Sequence, residues 1–251
     1  MPNDIIKAYD DLLQTKRQER AHKQENYHAS SAGMCMRKHY FAVIECVEQA
    51  PPNALSLRRM ELGTVVHNEI QSALEKEERK KEPKKERRKD DDYLIEERVA
   101  VKDLNISGRI DIFNRRTKQL TDIKTVGGYK WQKLFGRYGD HGTVENYKLQ
   151  LGTYVMGLQE TFNESCKQLF LLFYKLGDPK AGDMRSLSVP MEYVGFAQEY
   201  WEKVNEYRGD VRPPIGLGSS PAEGWECSPK WCPFFSHCGG GIKPELLEGG
   251  K

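Results

Sequence analysis

The sequence contains no apolar run approaching the roughly 20 residues that a membrane-spanning helix needs. Its first twenty residues, MPNDIIKAYDDLLQTKRQER, carry acids early and lack an apolar centre, so they do not read as a secretory signal. An excess of one charge is also missing. Lys and Arg total 39 against 37 Asp and Glu, a formal net charge of +2 over 251 residues. That excludes a polycation coating nucleic acid by bulk charge and leaves only local basic patches. Cysteine is scarce, six in the whole chain, which is too few for a disulfide scaffold. In a chain expected to be cytoplasmic, clustered cysteines point to metal or catalysis instead. There is no internal repeat. The apolar share is low, 38% with a mean hydropathy of −0.73. Much of the deficit sits in residues 75–92, which are almost entirely charged and read as a solvated helix end followed by a flexible loop.

What remains alternates helical and strand-like patterns, an α/β chain. Residues 4–24 read as a polar amphipathic helix with Ile5, Ile6, Tyr9, Leu12 and Leu13 on one side. Ser30 and Ser31 offer an N-cap for a second helix running to about Glu45, before Pro51 and Pro52. A third helix begins after Asn53 and carries Leu57, Met60, Leu62, Val66, Ile70 and Leu74. Strands are expected over 93–102, 106–113 and 119–126, the last two joined as a hairpin by NRRTK. A short helix around 131–135, a strong helix over 145–161, strands over 167–176 and 185–192, and a helix over 196–207 follow. The tail WECSPKWCPFFSHC closes the readable part.

The hairpin carries the most informative residues. Side chains alternate faces along a strand, so Asp122 and Lys124 share one face and Asp111 shares a face with Arg109. If the hairpin turns symmetrically about Arg116 and Thr117, Asp111 lies opposite Asp122, with Cβ atoms roughly 4.5–5.5 Å apart. Two carboxylates that close repel unless a positive group lies between them, and a hard divalent cation such as Mg²⁺ suits oxygen ligands. Either aspartate alone reads as a strand-end polar residue. Aspartate is disfavoured in strands, however, and both interrupt Ile-containing runs, with Lys124 two residues beyond Asp122.

The run GRID, followed eleven residues later by DIKT, resembles the core of the PD-(D/E)XK nuclease superfamily. Asp111 matches its first acid; Asp122 and Lys124 match its D-x-K element. GTVVH, ending in His67, and Gln150 with Tyr154 in QLGTY resemble the G-x-x-x-H and Q-x-x-x-Y motifs of the RecB-like branch. Gln150 and Tyr154, at i and i+4, fall on one helix face. The resemblance implies a restriction-endonuclease-like fold, a central mixed sheet flanked by helices, and a metal-dependent DNA exonuclease. His67, Asp111, Asp122 and the Ile123 carbonyl would ligate Mg²⁺ or Mn²⁺. Lys124 would orient or help deprotonate the attacking water and stabilise the charged transition state, and Gln150 and Tyr154 would position the DNA backbone or the metal-site loop. Glu97 is a possible further acid, although Glu96 sits beside it and periodicity does not choose between them.

Cys227, Cys232 and Cys238 are spaced C-x₄-C-x₅-C, and Cys35 lies far upstream in MCMRKHYF. Three clustered cysteines suggest a metal site one ligand short of closure. The stretch around Cys35 resembles the C-x-R-K-x-Y-F opening of the iron–sulfur RecB-like exonucleases, which include the AddB nuclease domain and the CRISPR-associated RecB-like exonucleases. That resemblance implies a [4Fe–4S] cluster held by Cys35, Cys227, Cys232 and Cys238, with Trp225, Trp231, Phe234 and Phe235 as its apolar shell. The familiar late spacing is C-x₂-C-x₅-C, so zinc stays an alternative. The expected layout is a helical segment over 1–55, a nuclease core over 56–210 and a cysteine-rich segment over 211–251, the two ends forming a metal-cluster lid. The expected partner is DNA, as single strands or duplex ends, with Arg37, Lys38, Lys130, Lys133 and Arg137 as phosphate contacts. A bacterial, archaeal or phage-infected cytoplasm fits, with other recombination, repair or CRISPR-adaptation proteins as further partners. The competing readings are a DNA-binding or assembly subunit without turnover, and a structure-specific endonuclease.

Overall fold

The computed structural model describes residues 2–20, 24–81, 92–177, 183–209, 212–213, 227–229 and 231–238. In chain order the helices are α1 (Pro2–Arg20), α2 (Met36–His39, continued by a π-helical turn over Tyr40–Ile44), α3 (Ala54–Lys81), α4 (Gly128–Phe135), α5 (Glu145–Phe162), α6 (Tyr193–Asn205) and α7 (Phe235–Cys238). The strands are β1 (Tyr27–His28), β2 (Tyr93–Ile95), β3 (Arg98–Val101), β4 (Ile106–Arg109), β5 (Ile112–Asn114), β6 (Gln119–Val126), β7 (Gln168–Lys175) and β8 (Met184–Val189). The chain divides into two compact units. One comprises Asn26–Met34 and Val66–Asn205; the other comprises Met1–Glu25, Cys35–Val65 and Glu206–Lys251.

The larger unit is a mixed α/β layer, the class expected of a restriction-endonuclease-like core. Its main sheet has the order β2-β5-β6-β7-β8, and a smaller one the order β1-β4-β3. β6 and β7 pair in parallel over their whole length, from Gln119↔Gln168 to Val126↔Lys175, while the other pairs of the main sheet are antiparallel. Alternation places Leu169, Leu171 and Phe173 of β7 in the core. On β6, Leu120, Asp122, Ile123 and Val126 are all buried.

The two sheets meet in one bent hairpin. Tyr93↔Asn114 through Ile95↔Ile112 and Arg98↔Arg109 through Val101↔Ile106 keep one register on both sides of the bend. Between them Glu96 N–H donates to the Asp111 carbonyl at 3.2 Å and Ile110 N–H to the Glu97 carbonyl at 3.0 Å. Glu96 has φ 55°, a left-handed conformation uncommon for a residue with a side chain. The expected continuous strands over 93–102 and 106–113 are therefore each broken, at Glu96–Glu97 and at Ile110–Asp111.

α5 packs between the sheets and α6. Trp201 of α6 is fully buried, and its indole N–H donates to Thr153 Oγ1 at 2.8 Å. Asn163, left-handed at φ 54°, ends α5. In the smaller unit, Arg58 of α3 makes a two-pronged ion pair with Asp10 of α1, and Lys16 pairs with Glu61. Tyr40, Phe41, Ala42 and Phe234 form its apolar cluster.

Local structure departs from expectation in a few places. Ser31 Oγ donates to the His28 carbonyl within a separate turn, and α2 starts only at Met36, because left-handed Gly33 (φ 77°) intervenes. β1 is a two-residue strand paired in parallel with β4 that no alternation pattern reveals. α3 runs through much of the charged stretch to Lys81, its start capped by Asn53 Oδ1 accepting from Ser56 N–H at 2.9 Å. The rest of that stretch, 82–91, lies outside the described residues. Among the described residues no helix is long and apolar enough to cross a membrane.

Gly152 marks the closest approach of α5 to α6. A Cβ there would lie 2.1 Å from the Tyr193 carbonyl oxygen. Glycine to alanine inside a helix ordinarily gains about 1 kcal/mol. Here the overlap with backbone outweighs that gain, so Gly152→Ala is expected to destabilise by about 1–3 kcal/mol in urea unfolding.

Candidate functional site

The bend in the hairpin, the start of β6, one face of α3 and one face of α5 bring their polar side chains to a single place in the larger unit. Asp111 is buried at the strand break, and its Oδ2 accepts from Ile123 N–H at 2.6 Å. The β5–β6 pairing, Ile112↔Thr121 and Asn114↔Gln119, is the register expected from a turn about Arg116 and Thr117, and extended by one residue it sets Asp111 against Asp122. His67 Nδ1 of α3 lies 3.5 Å from Asp111 Oδ1. One turn further along α3, buried Gln71 donates to Glu96 Oε1 at 2.6 Å.

Asp122 is 1% exposed. Its Oδ2 lies 2.7 Å from Lys124 Nζ, an ion pair without hydrogen-bond alignment, since Oδ2 has no hydrogen-bond partner. Its Oδ1 accepts from Gln150 Nε2 at 3.3 Å. The Gln150 carboxamide organises the rest: Oε1 accepts from Lys124 Nζ at 3.0 Å, and Nε2 also donates to Tyr154 Oη at 2.8 Å. An ammonium can only donate, which fixes the carbonyl end of Gln150 toward Lys124. Tyr147, a turn before Gln150, presents its ring 4.8 Å from Lys124 Nζ and 4.5 Å from Lys130 Nζ.

The electrostatics follow from burial of charge. Burial pushes the Asp122 carboxyl up to about 6; Lys124 opposes the rise and Asp111 adds to it. Burial works against the Lys124 ammonium, but the Asp122 and Asp111 carboxylates outweigh it and raise its pKa, so it is a cation at neutral pH. Burial likewise opposes the His67 imidazolium, and Asp111 overcomes it, raising that pKa. Burial, then the charge of Asp122, lifts the Tyr154 hydroxyl well above its usual range, so it stays a neutral phenol.

His67, Glu96 and Asp111 each offer one ligand atom, all within 4.8 Å of one another. This set of one imidazole and two carboxylates could hold a divalent metal ion. Asp122 and Asp111 both act on Lys124, while the Arg109 guanidinium lies 3.5 Å from Glu96 Oε2 on the exposed side of the bend. Expected ligand Asp122 stands beside this trio with its carboxylate held by Lys124 and Gln150. Of the two neighbouring glutamates the site takes Glu96, not Glu97. Glu96 and Gln71 were not singled out by sequence: the left-handed bend upsets the two-residue period, and Gln71 carries only the signal of lying four residues after His67.

The remaining expected positions are distributed over both units. Lys130 and Lys133 lie on α4 and Arg137 just after it, in the larger unit. Arg37 and Lys38 belong to the smaller unit, where the Arg37 guanidinium donates to the Pro213 carbonyl at 2.5 Å and to Cys238 Sγ at 3.4 Å. Cys35, Cys227, Cys232 and Cys238 are all in that unit, and none of them is in a disulfide. Burial pushes the Cys232 thiol up; nearby Lys38 opposes this, while Cys227 and Cys238 add to it. Phe41 stacks near Phe234 at 5.7 Å and meets His237 edge-on at 4.9 Å, so the segment after Cys35 packs on CPFFSHC. Phe234 is buried as expected of an apolar shell, whereas Trp231 is 44% exposed and faces solvent. Trp225 lies outside the described residues.

No protein-family model matches the chain, and no curated protein matches it significantly. Among solved structures, that of SSO0001 is similar at 15% identity over 97% of this chain and 98% of its own, with a TM-score of 0.51. The two share a fold. A phage-related exonuclease from Haemophilus somnus 129PT aligns at 15% identity over 58% of this chain and 70% of its own, with a TM-score of 0.37.

Gln150 serves three partners and Tyr154 one of them. Gln150→Leu strands buried polar groups on Lys124 and Asp122 and is expected to cost about 1–3 kcal/mol. Tyr154→Phe, which removes a single acceptor, should cost about 0.5–1.5 kcal/mol. Chemical denaturation in the presence of a chelator measures both, and equal costs would contradict the central place of the carboxamide.

Proposed function

We propose that this protein is a metal-dependent deoxyribonuclease of the PD-(D/E)XK type, RecB-like branch, hydrolysing phosphodiester bonds at DNA ends or in single strands. One observation carries the reading. His67, Asp111, Asp122, Lys124, Gln150 and Tyr154, drawn from four separate elements, meet in one charge-coupled cluster. Each of them matches a position of the resembled motifs in order. Neither the fold likeness nor the exonuclease neighbour carries this assignment.

His67, Asp111 and Glu96 would hold Mg²⁺ or Mn²⁺, with Asp122 and the Ile123 carbonyl completing the set. Once bound, the ion would polarise the scissile phosphate and lower the pKa of a bound water. Lys124, kept cationic by two carboxylates, cannot serve as the base. It instead donates charge and hydrogen bonds toward the phosphate oxygens and the attacking water. Asp122, as a ligand, would stay ionised beside the ion and hold Lys124 next to it. Gln150 holds both in place, with neutral Tyr154 behind it.

Cys35, Cys227, Cys232 and Cys238 would hold a structural [4Fe–4S] cluster. Support comes from the three late thiols sensing one another electrostatically and from Arg37, two residues after Cys35, reaching Cys238. The thiol donor set suits zinc as well. The nuclease core would correspond to 56–210 and the cluster segments to 1–55 and 211–251. DNA would be the partner, and a role beside recombination, repair or CRISPR-adaptation proteins in the cytoplasm follows from the resemblance alone.

Assays with Mg²⁺ or Mn²⁺ on single-stranded, duplex and circular DNA test the reading. Asp122→Ala and Lys124→Ala are each expected to lower the rate at least about 100-fold, the scale of a lost transition-state charge partner. Wild-type rates in either variant would overturn the site; DNA binding without cleavage in the unmodified protein would point to an assembly subunit; cleavage of circles would mark an endonuclease. The Mn²⁺ concentration needed for half-saturation should rise as pH falls, first as His67, its imidazolium favoured by Asp111, takes up a proton and then through about 6 as Asp122 does, since neither can ligate while protonated.

Anaerobically purified protein should be brown, with iron and inorganic sulfide. Cys35→Ala should lose both colour and thermal stability. Full iron content in that variant would exclude Cys35 as a ligand, and stoichiometric zinc in the wild type would replace the cluster.

A further inference from the structure

We propose that Tyr129 and Tyr138 form a stacking platform for the unpaired bases of a single nucleic-acid strand, beside the cluster described above. The proposal rests on the nuclease reading and names the surface that would carry the strand.

Tyr129 and Tyr138 are each 85% exposed, the most exposed large aromatic side chains among the described residues. Their exposure is not that of a loose segment. α4 is anchored by buried Trp131 and Leu134, and Phe135 packs edge-on against Phe173 of β7 at 5.5 Å. Side chains of a helix advance about 100° per residue, so Tyr129 and Lys133, four apart, share the face opposite Trp131. Anchoring through Trp131 therefore turns both outward. Tyr138 sits in the turn that follows, bounded by Gly136 and Gly139. A Cβ at these glycines would lie 2.3 Å from the Gln132 carbonyl oxygen and 2.5 Å from that of Leu134. The turn folds back tightly on the end of α4, with Asp140 N–H donating to the Lys133 carbonyl at 2.8 Å. Both rings are thus held out to solvent by ordered backbone.

Charge around the rings selects the occupant. Residues 127–139, GGYKWQKLFGRYG, contain Lys130, Lys133 and Arg137 and no acid. The Arg137 guanidinium lies 5.6 Å from the Tyr138 ring. An apolar protein surface would match the rings but not three cations without an acid among them. A polyanion with π-faces matches both, and only unpaired bases offer those faces. The platform is also continuous with the site: Tyr129 follows Lys124 by five residues, and Lys130, between the platform and Tyr147, donates to Tyr147 Oη at 3.3 Å while Tyr147 faces Lys124.

The test compares binding of oligothymidylate with binding of an abasic oligomer of equal length and charge, by fluorescence anisotropy in EDTA at several salt concentrations. The full-length wild type should bind oligothymidylate about fivefold tighter or more, the lower end for one stacked base. Tyr129→Ala/Tyr138→Ala should remove that preference and leave the salt slope unchanged, whereas Tyr129→Phe/Tyr138→Phe keeps it. Lys133→Ala/Arg137→Ala should flatten the salt slope and keep the preference. Equal binding of the two oligomers by the wild type overturns the proposal, as does a preference that survives in the double alanine variant. Unchanged oligomer binding with lost self-association in sedimentation also overturns it and reads the patch as a contact between copies of the chain. The nuclease reading stands apart: it fails if Asp122→Ala cleaves the same oligothymidylate at the wild-type rate, and the metal-free binding comparison is indifferent to that outcome.

Discussion

Everything at the centre of the larger unit answers to one constraint: Asp111 and Asp122 are buried close enough to sense each other's charge. Two ionised carboxylates in a low-dielectric interior cannot be left to repel. The chain compensates with donors of three kinds. A backbone N–H, that of Ile123, serves Asp111; an ammonium, that of Lys124, serves Asp122; and a carboxamide, that of Gln150, links the lysine to the second aspartate. One donor remains half-committed. His67 lies 3.5 Å from Asp111, too far for a firm hydrogen bond and near enough for both to face a common ion. On that side Glu96 adds a third acid, met by Gln71 on one oxygen and by Arg109 at 3.5 Å on the other.

That third acid depends on backbone geometry. A straight two-stranded ribbon would send Glu96 and Asp111 to faces set by alternation alone. The bend lets the hairpin leave one sheet and join the other, and it costs a left-handed φ at a non-glycine residue, typically about 1 kcal/mol. Strain of this kind persists where surrounding contacts over-determine it. Here the register is fixed on both sides of the bend, and Gln71 holds the Glu96 carboxylate from α3 at 2.6 Å.

How much of this was legible in the sequence follows from which interactions are periodic. The aspartate pairing was legible because a four-residue connector, 115–118, symmetric about Arg116 and Thr117, fixes register, and register fixes opposition. Gln150 with Tyr154 was legible because i and i+4 share a helix face. The parallel β6–β7 pairing, by contrast, is a crossover that no local pattern specifies. Glu96 could not be told from Glu97, since the residue that breaks the period is the one in question. Gln71 was invisible because a glutamine on a polar helix carries no signal until its partner is placed. The second helix was started too early for a related reason: Ser30 and Ser31 are good caps, but Gly33 turns the chain before a helix can follow.

Lys124 shows why the arrangement constrains chemistry as well as stability. A buried lysine alone would lose its proton near neutrality, and a neutral amine could act as a base. Asp122 at 2.7 Å, the Gln150 carbonyl at 3.0 Å and the Tyr147 ring at 4.8 Å all favour the ammonium instead. The same contacts that stabilise the cation raise the cost of ever neutralising it, so Lys124 contributes charge rather than a basic amine. Asp122 is the carboxyl that burial has pushed to about 6. A pair built this way sets a permanent positive charge beside a buried carboxylate on one strand face, and Gln150 holds one end of its amide on each.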